Sequence, residues 1–520
     1  MKAVTAAVMR ELEEAAMAAG RSAEELMERA GVGAARELRD WCEQRLTPAH
    51  RQRWVVLAGK GNNGGDAYVV ADWLAAHTSQ PVTVYAAAHP DTLTGAARHH
   101  ARHLSPAVPV LVVDGALPAA ALEAGGVIVD GLLGTGLAGA VREPFATFIR
   151  QINASGRPVV ALDLSSGLDA DTGEPLGGAV LADLTLTMGL PKAGCFTVAG
   201  ARHTGALRVV DIGLPEAAVA AAPAVLQVVT AADIAPLLGR RPHAAHKHTF
   251  GQIVVAGGST DYAGAPLLAG AAALRSGAGL VTLAVPATLR PWLRPRYDAL
   301  MLRAIPDAGT GHLMPSPVWD DVVAGAQAVL FGPGCGRVLA TGGALAVVLR
   351  TPHPLVVDAD GLRLLAARPE LLPRSVAEPA AAPPVTVLTP HPGEMRALLD
   401  GFGLGALATA ARPEQALALA RRTGAVIVLK GAQTVTAAPD GAWCVNSSGS
   451  SALATAGTGD VLAGLIGGLL AQGWTGWDAA HAAVFIHGLA AELAPTGRAL
   501  VADDLLELIP GALRQLSPFA

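Results

Sequence analysis

Near its carboxyl end the chain reads Ala454-Thr455-Ala456-Gly457-Thr458-Gly459-Asp460 and runs directly into the apolar segment Val461 to Ile466. These residue types suit one chemistry. Glycines let a backbone approach a ligand closely, and the first amides of a following helix point outward, unpaired and partly positive. Such an end holds a phosphate and stabilises charge on a transferring phosphoryl group. Asp460, at its mouth, could take a proton from an attacking hydroxyl. Read alone, the stretch is equally well an ordinary turn with an aspartate in the first helical turn.

A second chemistry-bearing stretch lies in the first half. The apolar segment Trp54 to Ala58 leads into Gly59-Lys60-Gly61-Asn62-Asn63-Gly64-Gly65-Asp66, and a helix is expected from Ala67 to about Ala76. Strand, glycine-rich turn, helix is the context of a nucleotide loop. Two further polar stretches follow apolar runs: Asp130 to Ala140, and Asp163 to Asp169. Asn63, Asp130 and Ser166 could converge as hard oxygen ligands for an alkali or alkaline-earth cation. Asp163 could act as an acid/base or hold a ribose or amide. Each aspartate taken singly is also a good cap or turn residue.

The elements that must position these groups alternate. Strands are expected at 54–58, 82–85, 108–113, 127–130, 159–162 and 184–188, with helices or loops between them. This predicts a mostly parallel sheet with helices on both faces, whose ligands sit beyond the carboxyl ends of the strands. Residues 1 to about 47 read as two amphipathic helices, a cap on that sheet or an oligomer surface. Residues 216–229 are Ala-rich and read as a linker. The glycine pattern then restarts. Strands at 252–256, 280–285, 328–331, 355–357, 385–388 and 426–429 end in Gly257-to-Ala265, Gly332-Pro333-Gly334, Asp358-Ala359-Asp360, Thr389-to-Glu394 and Lys430-to-Thr434. This is a second α/β sheet with its loops on one edge. His481 and His487, on an apolar helix, read as core histidines.

Composition excludes several classes. The 520 residues suggest two large domains or about three smaller ones, and 51% hydrophobic content is ample for their cores. The longest apolar runs fall short of the roughly 18 residues a span needs, so no membrane association is expected. Net charge is −5 with no basic run, which gives no reason to expect nucleic acid. The first residues lack a signal-peptide apolar core. The cysteines are scattered, and read as reduced thiols of a cytoplasmic protein. Of 38 basic residues only Lys2, Lys60, Lys192, Lys247 and Lys430 are lysine, and four of these five fall inside motifs. A compact ammonium and a planar guanidinium are not interchangeable, so those four suit a point charge.

The first-half motifs, with Ser166-to-Gly173, Pro191-Lys192 and Val210-to-Pro215, resemble the YjeF N-terminal domain, the NAD(P)H-hydrate epimerase family, over residues 1–215. Two departures adjoin the site. Ala67 stands where that family usually has Gly. Ser165 stands where it usually has Pro, and is expected to loosen the turn. The resemblance implies a Rossmann-like three-layer α/β/α domain that interconverts the R and S forms of NADHX and NADPHX, the hydrates carrying a hydroxyl at C6. It implies substrate contacts at Asn62, Asn63, Gly64, Gly65, Asp66, Gly134, Thr135, Gly136, Leu137, Ala138, Gly139, Ala140 and Asp163. It further implies potassium at Asn63, Asp130 and Ser166, and Asp163 as acid/base.

The second-half motifs, with His246-Lys247 and Ala273-to-Val281, resemble the ribokinase-like fold. More closely, they resemble the YjeF C-terminal domain, the ADP-dependent NAD(P)H-hydrate dehydratases, taken as residues 230–520. Departures are His248 in place of Gly, and a Ser-rich stretch from Asn446 to Leu453. That resemblance implies hydrate contacts at Ala265, Gly334, His391 and Asp460. Lys430, Gly431, Ala432, Gln433, Thr434 and Gly459 would hold the adenine nucleotide, Asp460 would be the base, and magnesium would accompany ADP with few protein ligands. The expected protein is a bifunctional repair enzyme, a lyase and an isomerase, acting as a homo-oligomer. The competing expectation is a thiamin-precursor type kinase with a non-catalytic nucleotide-binding first domain.

Overall fold

The first-half strands are short, rich in Val and Leu, and buried on both faces, the signature of a parallel sheet covered by helices. In the computed structural model, which describes residues 1–295, 297–372, 384–494 and 497–519, they are β1 (Arg53–Ala58), β2 (Val82–Ala86), β3 (Val110–Val112), β4 (Gly126–Gly131), β5 (Val159–Leu162), β6 (Leu184–Met188) and β7 (Ala206–Val210). All neighbours pair in parallel, in the order β3-β2-β1-β4-β5-β6-β7. The first six follow the Rossmann order, whose switch point lies between β1 and β4. The chain divides into two units, Lys2–Gln227 and Val228–Ala520 together with Met1.

The N-terminal helices are Ala6–Ala18 and Ala23–Arg45, capped by Thr5 and by a Ser22–Glu25 capping box. The helix expected from Ala67 begins at Asn62 and ends at His77. The glycine-rich stretch is therefore its first turn, with Gly61 as a cap that has no side chain to satisfy the leading amides. Residues 216–229 hold a helix, Glu216–Ala221, and a strand, β8 (Leu226–Val229). Lys2 Nζ caps that helix, donating to the carbonyls of Val219, Ala220 and Ala222.

The second unit orders β9 (Gln252–Ala256), β10 (Leu280–Pro286), β11 (Leu300–Ile305), β12 (Ala328–Phe331), β13 (Leu355–Val357), β14 (Thr386–Leu388), β15 (Val426–Leu429), β16 (Val435–Ala437) and β17 (Trp443–Asn446) as β17-β16-β15-β14-β13-β12-β9-β10-β11. The sheet is parallel from β15 to β11, and β16 and β17 are antiparallel additions. Val228 and Val229 of β8 pair with Val445 and Asn446. Its core centres on helix Thr458–Ala471, buried nearly all round, as its unbroken apolar sequence demands. His487 is indeed in the core, its ring bonded to the Thr458 carbonyl at 2.9 Å. The four cysteines are free and buried, and burial pushes Cys42 and Cys444 up to about 12 and Cys195 up to about 11, with Cys335 also raised.

No helix among the described residues is long and apolar enough to cross a membrane.

Candidate active sites

At the switch point the ends of β1 and β4 nearly touch. A Cβ on Gly59 would stand 1.8 Å from the Leu132 carbonyl oxygen, so only glycine fits there. Beyond this junction opens a cleft of about 720 Å³. Asn62, Asn63, Asp66, Gly134 to Ala138 and Asp163 line it, joined by Arg10 and Glu13 from the first helix. Gly64 and Gly65 are buried instead under the turn, against Gly59 and Met27. Gly139 and Ala140 are exposed and do not line the cleft.

Asn63, Asp130 and Ser166 come together. Ser166 donates to Asp130 through Oγ at 2.6 Å and through its amide at 2.9 Å, and Asn63 Nδ2 donates to the Leu133 carbonyl at 3.0 Å. Asp130 is fully buried, and burial raises its pKa against the bonds from Ser166 and Leu132. Asn63 Oδ1 is buried with no partner. An orphaned acceptor beside a carboxylate and a hydroxyl fits a hard monovalent cation.

Asp163 is held in the left-handed region, φ 62°, which costs a non-glycine residue roughly 1–3 kcal/mol. Lys192, 1% exposed, donates to its Oδ1, as does the Met188 amide at 3.0 Å. The neighbouring carboxyls differ. Asp66 is buried and pushed well above its ordinary value by burial, with Asp163 and Glu13 adding to the rise. Glu13 is raised by burial and by Asp163. Ser165 does not loosen its turn: its hydroxyl donates to the His203 carbonyl at 2.7 Å and ties the loop down. Ala67 is buried, its methyl against Gly131.

In the second unit Gly457, with φ 88°, opens helix Thr458–Ala471. No side chain caps it, and its first backbone bond is Val461 N to Gly457 O at 3.1 Å. Lys430 Nζ stands 3.4 Å from where a Cβ on Gly459 would lie, so an ammonium flanks the uncapped amides. Lys430 pairs with Asp358 at 2.7 Å, and Asp358 also accepts from Thr389 at 2.6 Å. Burial pulls the Lys430 pKa down, but Asp358, Glu394 and Asp460 together hold it above its usual value. Asp460 is raised to about 7 by burial, and then by Asp358, with Lys430 opposing. Glu394 is likewise raised to about 7 by burial.

The remaining expected residues are placed as follows. Gly334, with φ 62°, packs against Tyr262 and Ala265. His391 caps helix Pro392–Gly401, its Nδ1 accepting from Gly393 N at 2.9 Å, and its pKa is lowered by burial, Lys430 and Arg363. The Lys430-to-Thr434 loop is gripped by Arg412, which donates to the carbonyls of Leu429, Lys430 and Ala432. The serines of the Asn446–Leu453 stretch anchor it: Ser447 donates to Val229 O and Ser448 to Phe485 O. His248 lies exposed in the turn Lys247–Phe250.

Sequence reasoning gave no role to Glu13, Arg412, or the pairing of Lys192 with Asp163. The scarcity of lysine was the available signal for the last.

Fold and sites define a two-domain α/β enzyme, Rossmann-like in its first half and ribokinase-like in its second. Residues 23–194 match the YjeF-related protein N-terminus family and residues 253–511 the NAD(P)H-hydrate dehydratase family. The bifunctional NAD(P)H-hydrate repair enzyme Nnr of Salinibacter ruber is 38% identical over 511 residues, covering 93% of this chain and 91% of that protein. The Escherichia coli protein of the same name is 35% identical, covering 95% and 90%. The second half is also similar to the ADP/ATP-dependent NAD(P)H-hydrate dehydratase from Bacillus subtilis, co-crystallised with ATP and Mg²⁺, at 29% identity and TM-score 0.46 over 56% of this chain and 99% of that one. The chain belongs to the family of bifunctional NAD(P)H-hydrate repair enzymes.

Proposed function

We propose that the first domain interconverts the R and S hydrates of NADH and NADPH at C6, and that the second dehydrates the S form at the expense of ADP. One observation carries the second half of this reading. An uncapped helix start, the Lys430 ammonium and a carboxyl raised to about 7, Asp460, share one mouth. A base with that pKa is matched to neutral pH.

The C6 hydroxyl is a poor leaving group. Asp460 takes its proton as the oxygen attacks the terminal phosphorus of ADP, and the bond to AMP breaks. The amides of Gly457 to Gly459 and Lys430 stabilise the charge on the phosphoryl oxygens. The C6–O bond then breaks with the ring-nitrogen lone pair pushing, phosphate leaves, and loss of a C5 proton restores the dihydronicotinamide. Magnesium bound with the nucleotide would neutralise phosphate charge. Arg412 shapes the Lys430-to-Thr434 loop for the adenine nucleotide, and Gly334, Ala265 and His391 border the hydrate.

In the first domain Asn63, Asp130 and Ser166 would hold potassium, and Asp163 is the acid/base at C6. The orphaned Asn63 Oδ1 supports the cation.

The test is absorbance recovery at the dihydronicotinamide band, with an R/S mixture of NADPH hydrate, ADP, magnesium and potassium. Full conversion with one AMP per NADPH is expected. Recovery of the S fraction alone removes the epimerase assignment. A stable phosphorylated product, with no NADPH, removes the dehydratase assignment in favour of a kinase.

A further inference from the structure

The first helix, Ala6–Ala18, lies outside the segment matched to the epimerase-type family, residues 23–194. Yet it is built into the site. Val4 N donates to Pro191 O at 3.0 Å and Ala193 N to Val4 O at 2.9 Å, so the residue leading into the helix is bonded to both neighbours of Lys192. Ala6 N donates to Asp171 Oδ1 at 2.7 Å. These ties fix the helix on the loops that carry Asp163 and its lysine, and they deliver Glu13 to the cleft wall.

Epimerisation at C6 needs two proton-handling groups. One must protonate the departing hydroxyl. The other must deprotonate the water that returns to the opposite face. Asp163 faces an ammonium and a backbone N–H, both donors to a carboxylate, which suits the base. In a single pass it does not also supply the proton on the opposite face. Glu13 and Asp66 have neither a hydrogen bond nor an ion pair to any described side chain or amide. Glu13 lines the same cleft without such donors, and burial raises it, which suits the acid.

We propose that Glu13 is a further catalytic residue of the epimerisation, the general acid that works with Asp163 as base. The inference rests on the epimerase reading of the first domain. Protonated Glu13 gives its proton to the C6 hydroxyl, the C6–O bond breaks with the ring-nitrogen pair forming C6=N, and water departs. Water adds to the other face of C6 and gives its proton to Asp163. Proton exchange between the two carboxyls through solvent resets the site, and the reverse direction retraces these steps with the roles exchanged, Asp163 protonating the hydroxyl on its face and Glu13 taking the proton of the returning water. The charged groups facing Glu13 are Asp163, Asp66 and Lys192 from the sheet end and neighbouring helix, and Arg10 and Glu14 from its own helix. Burial, and then Asp163, keep it protonated further up the pH scale than a free glutamate, against Lys192 and Arg10.

The experiment compares full-length wild type, Glu13→Gln and Glu13→Asp in R-to-S conversion, read across pH. Dehydration of pure S hydrate by each preparation serves as the folding control. Glu13→Gln should lower epimerisation kcat by about 10²-fold or more, remove the high-pH fall of the wild-type profile, and leave dehydration unchanged. Glu13→Asp should restore part of the rate and the pH limb. A wild-type rate and profile in Glu13→Gln overturns the proposal, and so does a change confined to KM. Wild type that fails to epimerise at all overturns the underlying reading instead.

Discussion

Each domain buries one lysine against one aspartate, and the two pairs do different work. In the first, Lys192 grips Asp163, the carboxylate that faces the cleft. In the second, Lys430 grips Asp358, while Asp460, at the mouth, stays unpaired and rises to about 7. What remains unpaired differs accordingly: Glu13 and Asp66 in one domain, Asp460 in the other, where Glu394 is held by the His391 amide at 2.8 Å. A lysine–aspartate pair is thus not a site signature in itself. Its meaning depends on which carboxyl it leaves over.

The largest expected effects separate the two sites. Asp460→Asn should lower dehydration by about 10²–10⁴-fold and leave epimerisation intact, and Asp163→Ala should do the reverse. Rates on S hydrate and on R hydrate, measured on the same preparations, check this. Epimerisation at the wild-type rate in Asp163→Ala would end its assigned role.

Stability should then distinguish the pairs. Asp358 is 1% exposed, whereas Asp163 is 16% exposed. Lys430→Met leaves a charge stranded in the interior and should cost about 3–5 kcal/mol. Lys192→Met should cost less, below about 3 kcal/mol, because solvent reaches Asp163. Denaturant unfolding of both variants tests the order.

The pH dependence sharpens the comparison further. As the proposed base, Asp460 has to be ionised, so dehydration should rise with pH through about 7. Asp358 raises Asp460, so Asp358→Asn removes a negative neighbour and frees the Lys430 charge. Both changes move the rising limb to lower pH. An unmoved limb would assign it to another group, Glu394 first. The smallest effect belongs to Ser165→Ala, which removes the bond to His203 and should cost about 0.5–1.5 kcal/mol in thermal unfolding with epimerisation retained.

Much of this was legible in the sequence because it is local. Alternating apolar runs and glycine turns set out both parallel sheets, and contiguous motifs marked Asn63, Asp130, Asp163 and Asp460. Non-local facts were hidden. The pairing of Lys192 with Asp163 spans 29 residues, and that of Lys430 with Asp358 spans 72. The strands β11, β16 and β17, like β8, carry weak or mixed patterns, and only pairing with their neighbours makes them strands. Backbone strain left no trace either. Asp163, Ala359 and Gln433 all take positive φ in site loops, at residue types that rarely do so. The helix at Asn62 was placed late because glycines and asparagines have low propensity, which close packing against Gly59 overrides.

The buried cysteines have a practical consequence. A thiol reacts with peroxide or an alkylating agent as its thiolate, and these four combine inaccessibility with raised pKa values. A repair enzyme works where metabolites are being damaged, among electrophiles and oxidants. This chain keeps its thiols out of their reach, so oxidation or alkylation of its cysteines must wait for local or global unfolding.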